Sequence, residues 1–345
     1  MIFGTLISIS TSYWLIMWLG MEINLIAFIP LMASQGKPVE SEAAIKYFIF
    51  QALGSSLFIL GSIMAFNSNP SWNFPMTPNL LWATFILLGL SIKLGSFPLH
   101  FWFPKVASSL TWEANMLLFI WQKISPLFSM VSLTPLLNPL SSLILLTIAM
   151  LSSMVGALSG LNQTQIRSLL AYSSISHLGW MMVACYMSLS SFKIYFFSYA
   201  SISLMIILMA KEMEIHSTSQ AASIFFSHKL QPLMMISFLS LAGLPPLLGF
   251  APKWVVISLL ASKQEFFFLF LLLLSSVISL YYYLKFSMSF FFSSLNPMKS
   301  PLSSMTFFAF SSFLKASCFT LNCGGGLLLM NVVILFNLYA LNILN

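Results

Sequence analysis

Six side chains in this sequence are of types that transfer protons and lie where such types are costly. Glu22 lies in Trp18-Leu19-Gly20-Met21-Glu22-Ile23-Asn24. Lys93 precedes Leu94-Gly95-Ser96-Phe97-Pro98, and Lys123 sits in Trp121-Gln122-Lys123-Ile124. Lys253 follows Gly243-Leu244-Pro245-Pro246 and Pro252. His177 closes Ser173-Ser174-Ile175-Ser176-His177, and His100 stands between Pro98 and Pro104. A charge at the centre of a bilayer costs about 2.5–3.5 kcal/mol on insertion scales. It is tolerated when protonation neutralises it, when an opposite charge pairs with it, or when it faces water. An ammonium taken out of water loses proton affinity, and a carboxylate beside it restores that affinity. A lysine whose glutamate partner approaches and withdraws is therefore a proton acceptor and donor near neutral pH. Imidazole titrates near pH 6.5, which makes His177 the best neutral relay and His100 a second-tier one. An equally open reading of His177 is a core histidine hydrogen-bonded to Ser173, one turn earlier.

These residues need a scaffold, and composition names its solvent. The 345 residues are 59% hydrophobic and 6% charged, against roughly 25% charged in soluble domains. Apolar runs of about 20 residues span a bilayer as helices. They occur at 12–33, 43–66, 79–103, 113–133, 140–160, 168–187, 192–211, 230–262, 266–287 and 326–344. Residues 2–10 form a run too short to span alone. None of the runs alternates as barrel strands do, and open sheet edges cannot be satisfied in lipid. The fold expected is an all-α polytopic membrane domain of about 10–11 transmembrane helices.

Threading these spans alternately places Lys37, Lys105, Arg167, Lys211, Lys229, Lys285, Lys299 and Lys315 at one surface, and only Lys193 and Lys263 at the other. Such asymmetry marks the positive-inside face, matrix or cytoplasmic. The lysines near span ends, Lys46, Lys105, Lys193 and Lys285, read as snorkelling to the headgroups. Lys93 and Lys123 are about ten residues from the ends of their spans, too deep for that. Glu113 reads as a helix-start acid complementing the dipole. The net charge of +7 belongs to loops. No cluster of cations with interleaved aromatics suggests nucleic acid.

Cys185, Cys318 and Cys323 lack metal-ligand spacing and read as buried or incidental thiols. Gly324-Gly325-Gly326 lacks the strand and the Lys-Ser/Thr of a phosphate loop and is expected to break the chain before a last helix. The N-terminus lacks the basic region of a cleavable signal.

Two stretches repeat: Pro98-Leu99-His100-Phe101-Trp102-Phe103-Pro104-Lys105 and Pro246-Leu247-Leu248-Gly249-Phe250-Ala251-Pro252-Lys253 share Pro-Leu-x-x-x-x-Pro-Lys. Proline removes an amide donor and clashes with the preceding turn, so each helix should break there. Broken helices in corresponding positions of two halves point to an ion path, although Pro and Gly are common in membrane helices generally.

Those motifs carry a resemblance. Trp18 to Asn24, Glu42 to Phe48, Lys93 to Pro104, Trp121 to Lys123, Leu161 to Arg167, Leu170 to Met181 and Gly243 to Trp254 occur in order between about Trp14 and Tyr283. The chain so resembles the chain 2 family of antiporter-like subunits of the proton-pumping NADH:ubiquinone oxidoreductase (respiratory complex I), in its mitochondrially encoded animal form. The resemblance implies two inverted five-helix repeats, about 12–133 and 140–287, with discontinuous helices near Pro98 and Pro245/Pro246. Residues 288–345 would add a connector and last helix. It implies that Glu22 and Lys93 form the Glu–Lys pair of the first half, Lys123 the central relay and Lys253 the lysine of the second break. His177 would line the route between them. It implies no redox centre or metal here. NADH, FMN, iron–sulfur clusters and ubiquinone belong to other subunits of the complex, in the mitochondrial inner membrane. The partners implied are neighbouring antiporter-like and small membrane chains. Two departures stand out. Lys105 occupies a position where many relatives have an acid, and the N-terminus is short. A subunit of a free-standing cation/proton antiporter, and a structural spacer of the membrane arm, remain as alternatives.

Overall fold

The computed structural model describes residues 1–68, 72, 79–213, 215, 217 and 230–295, with 320, 322, 324–326 and 329 beyond them. The expected span at 326–344, most of the 288–345 connector, Lys229, Lys299, Lys315, Cys318 and Cys323 lie outside the described residues or at their margin.

Helices account for nearly all of what is described. In order they are α1 (Ile2–Ser10), α2 (Trp14–Met32), α3 (Pro38–Ser68), α4 (Leu80–Leu94), α5 (Trp102–Ser109), α6 (Trp112–Met116) and α7 (Gln122–Leu133). Then follow α8 (Pro139–Gly160), α9 (Ile166–Met187), α10 (Leu189–Glu212), α11 (Leu230–Ala242), α12 (Phe250–Ser262) and α13 (Phe266–Leu295). Among the described residues six rods are long and apolar enough to cross a membrane: Trp14–Met32, Pro38–Asn67, Trp112–Leu136, Pro139–Gly160, Leu189–Glu212 and Phe266–Phe291. The expected runs at 79–103 and 230–262 are broken at Pro98 and at Pro245/Pro246, as their prolines predict, into the pairs α4 with α5 and α11 with α12. Residues 2–10 form a helix of their own, which packs on α2. Gly324–Gly326 is helical rather than the expected break. A Cβ on Gly326 would meet the Leu247 and Leu248 backbone at 2.7 Å, so the position requires glycine for close approach instead of for a turn.

Lipid supplies no hydrophobic drive between helices, so contact depends on close approach at small residues. Cβ atoms added at Gly54 and Gly89 would meet the opposite carbonyls at 3.0 and 2.7 Å, which brings α3 flush against α4. A Cβ on Gly156 would meet Ser176 N at 2.5 Å, and one on Gly179 would run into Ala149 O, so α8 and α9 meet the same way.

Helix α9 lies at the centre, buried along nearly its whole length. Its serines are tolerable there because Ser173, Ser174 and Ser176 each donate to the carbonyl three residues earlier, at 2.7–2.8 Å. The exposed apolar residues, among them Phe3, Ile26, Leu81, Phe197 and Val277, lie on the outward faces of the surrounding rods, where a bilayer would cover them.

Candidate functional site

Both helix breaks are built alike. Gly95 ends α4 at φ 73° and Gly243 follows α11 at φ 81°, a left-handed conformation that only glycine takes without penalty. At the first, Gly95 N–H donates to Ile92 O and Ser96 N–H to Ser91 O, both at 3.0 Å. At the second, Gly243 N–H donates to Ser240 O at 3.0 Å and Leu244 N–H to Leu239 O at 3.4 Å. These are two Schellman caps. Pro98 and Pro246 each follow their glycine by three residues, and Phe97–Pro98 and Pro245–Pro246 are both cis. The chain then re-enters helix at Trp102 and Phe250, with Pro104 and Pro252 in the first turn, where no amide donor is needed.

The break lysines sit at carbonyl-rich helix ends. Lys93 is in the last turn of α4, and Lys253, from the first turn of α12, donates from Nζ to Ala242 O at the end of α11, 2.9 Å away. Both positions bring a cation to the negative pole of a helix. Each lysine is also seated on glycine: a Cβ on Gly54 would meet Lys93 Cγ at 2.9 Å, and one on Gly243 would meet Lys253 Nζ at 3.1 Å.

Lys93 reaches Glu22 of α2. Nζ lies 3.3 Å from Oε1, with the lysine side chain 3% exposed and the glutamate 21%. One end of the pair is dry and the other is nearer the surface. Gln51 Nε2 donates to Lys93 O at 3.0 Å and holds the last turn of α4.

Lys123 is 2% exposed, with Nζ 5.3 Å from the Phe103 ring centre and 5.0 Å from that of Tyr199. It donates to Tyr199 Oη at 3.4 Å. Among the described residues no carboxylate lies within ion-pair distance of Lys123 or Lys253. A π-helical turn, Leu117–Trp121, precedes Lys123 and joins α6 to α7, with Gln122 N–H reaching back to Leu117 O. Pro126 follows one turn later. π-Bulges inside α-helices concentrate at functional positions, and this one re-aims the helix face just before its lysine.

His177 is buried, and its Nδ1 lies 3.0 Å from Tyr195 Oη. The expected alternative partner, Ser173, is instead committed to Leu170 O. Tyr195 and Tyr199 stand one turn apart on α10, and the His177 ring is 5.4 Å from that of Tyr199. His177 and Lys123 thus share a phenol neighbour. His100 stays within the first break: Nδ1 lies 3.1 Å from Pro98 O, and its ring packs on Phe101. Sequence reasoning missed Tyr195 and Tyr199. Two tyrosines four residues apart in an apolar helix were the available signal, since buried phenols need partners.

The lysines near the span ends lie at the protein surface. Lys105, Lys193 and Lys285 are exposed, and Lys46 pairs with Glu42 at 2.5 Å on the surface. Glu113 is in the first turn of α6 and pairs with Lys211. Lys37, Arg167 and Lys211 line one surface cleft, while Lys263 sits over Tyr186 near the end of α9. Cys185 is buried.

Two capped breaks and a set of buried cations define a class: polytopic membrane proteins that handle a small cation inside the bilayer. Comparison narrows it. Residues 11–279 match the family described as NADH:quinone oxidoreductase/Mrp antiporter, transmembrane. NADH-ubiquinone oxidoreductase chain 2 of Locusta migratoria is 39% identical over 259 residues, 74% of this chain and 73% of that protein. Chain 2 of Anopheles gambiae is 40% identical over 267 residues, 76% of this chain and 75% of that one. The chain belongs to this family, among its chain 2 members. A chain in the structure of respiratory complex I from Thermus thermophilus with bound aureothin superposes with TM-score 0.83 at 25% identity, over 94% of this chain and 75% of that chain. The Mrp complex from Dietzia sp. DQ12-45-1b shares the fold, with TM-score 0.76 at 15% identity over 88% and 60%.

Proposed function

We propose that this chain is a membrane-arm subunit of the proton-pumping NADH:ubiquinone oxidoreductase of the mitochondrial inner membrane. It passes protons along Glu22, Lys93, Lys123, His177 and Lys253 while other subunits oxidise NADH and reduce quinone. Neighbouring antiporter-like and small membrane chains would be its partners. The supporting observation is the pairing of a buried Lys93 with Glu22, beside a Lys123 and a Lys253 that have no acid within ion-pair distance among the described residues.

The geometry suggests how charge moves. Glu22 holds the ammonium of Lys93 at 3.3 Å. If Glu22 withdraws, the ammonium loses its counter-charge and gives its proton to the next acceptor inward, and its return draws the next proton in. Lys123 has a phenol and two ring faces as company, so its ammonium is held weakly enough to be passed on. His177 and Tyr195 bridge toward α12, where Lys253 rests on a carbonyl. Residues 12–133 and 140–287 would form the two repeats, each contributing one capped break.

Replacing Lys93 by Met should leave the complex assembled while lowering the proton yield or the coupled turnover in sealed vesicles. Unchanged pumping would sink the role given to Lys93. A cation/proton antiporter subunit is the second reading, favoured by the fold shared with the Mrp complex. Migration with NADH dehydrogenase activity on a native gel separates the two.

A further inference from the structure

A route from the surface to Lys123 is needed if that lysine is to be loaded, and one cleft leads toward it. A cleft of about 420 Å³ opens between the α8–α9 turn and α13. Asn162, Gln163 and Thr164 line it from the turn, and Tyr282, Lys285 and Ser289 from the helix. Lys285 is exposed at the rim, so salt screens its charge. Tyr282 lines the cleft and is 2% exposed, and its ring lies 4.6 Å from that of Tyr283, which is 0% exposed and does not line it. Neither phenol hydroxyl has a partner in good hydrogen-bond geometry among the described residues. Buried hydroxyls are rarely left so, and a site between polar groups is where water completes them.

The two phenols face different serines of α9. The Tyr282 hydroxyl lies near that of Tyr283 and near Ser176 and Ser279, and the Tyr283 hydroxyl near Ser173. On its other side, Ser173 shares with Tyr199 and Ser203 a gap of about 10 Å³, near the size one water needs. Tyr199 accepts from Lys123 Nζ. A second gap of similar size touches His177, Tyr195 and Tyr199. The phenol pair is seated by Gly160, where a Cβ would meet the Tyr282 ring at 3.0 Å.

We propose that this cleft is the entrance through which water delivers protons from the surface, and that Tyr282, Tyr283 and Ser173 hand them to Tyr199 and Lys123. The proposal rests on the reading of Lys123 as a relay. Each phenol accepts one proton on its oxygen and releases its own to the next acceptor, so no hydroxyl is consumed. Ser173 has its proton on Leu170 O and takes part by rotating about its Cβ–Oγ bond. At the end of the route the neutral amine of Lys123 becomes ammonium.

The test uses the assembled complex in sealed vesicles, with three variants beside the parent. The Tyr282→Phe/Tyr283→Phe double change keeps both rings and removes both hydroxyls. Ser289→Trp narrows the cleft and leaves both phenol hydroxyls in place. Lys123→Met removes the relay itself. NADH oxidation by an artificial acceptor measures how much complex has assembled. Coupled NADH:quinone turnover, proton movement and the slowing in heavy water measure the route. The double variant and Ser289→Trp are expected to assemble and to lose about 100-fold in coupled turnover, the lower end of what a positioned proton-transfer group contributes, with greater slowing in heavy water than the parent shows. Parent-like pumping by both, with Lys123→Met impaired, overturns the entrance and leaves the relay standing. Parent-like pumping by Lys123→Met as well overturns the relay reading itself. If the double variant fails to assemble, Ser289→Trp decides, and unchanged pumping there overturns the entrance.

Discussion

At the scale of single residues, function is separated from packing by the partner each charge keeps. Lys46 and Lys211 have acids on an exposed surface, where solvent screens the pair and it adds little to stability. Lys211→Ala should therefore shift the thermal unfolding of the complex little, and a loss of assembly would show that the pair matters more. Lys123 keeps a phenol and two ring faces. Tyr199→Phe retains the ring and deletes the hydroxyl, so coupled turnover should fall, but less than with Lys123→Met. Equal effects would mean that the hydroxyl carries the whole transfer, and no effect would mean that the ring alone matters. Glu22, Lys93, Lys123 and Lys253 were legible in the sequence because cost singles out any charge in an apolar run. Tyr195 and Tyr199 were not. A tyrosine carries no such cost, and only the fold shows which side chain its hydroxyl meets.

At the scale of elements, the two breaks depend on glycines that have no substitute. Gly243 takes a positive φ and also lies against Lys253. Gly243→Ala should cost about 1–2 kcal/mol from the left-handed backbone alone and displace the lysine. Lower thermal stability together with lower coupled turnover is expected, and normal values for both would mean that the break adjusts freely. The α8–α9 contact offers a comparison, since Gly179→Val would drive a branched side chain into the α8 backbone. Its expected effect is loss of assembled complex on a native gel rather than altered pumping in a complex that forms. The break positions were legible from Pro-Leu-x-x-x-x-Pro-Lys, because proline and glycine act through local backbone geometry. The π-helical turn before Lys123 was not, since Leu117–Trp121 reads as ordinary apolar helix.

At the scale of the whole molecule, the sequence organises the chain by solvent. The connection after α2, with Lys37, and the connection between α12 and α13, with Lys263, fall at opposite surfaces when the helices are threaded alternately. Cysteines introduced by Gln35→Cys and Gln264→Cys should react with a membrane-impermeant thiol reagent from opposite sides of sealed vesicles. Labelling from the same side would overturn the threading. The fold class, the approximate helix spans and the breaks followed from the sequence by itself, because hydropathy and backbone geometry are local properties. The tertiary structure decided what those cannot: that Lys93 meets Glu22 across 71 positions, that Lys123 meets Tyr199 across 76, and that His177 pairs with Tyr195 and not with Ser173. Such partners come together through close packing of glycine-bearing helix faces, and that packing is a property of two helices at once.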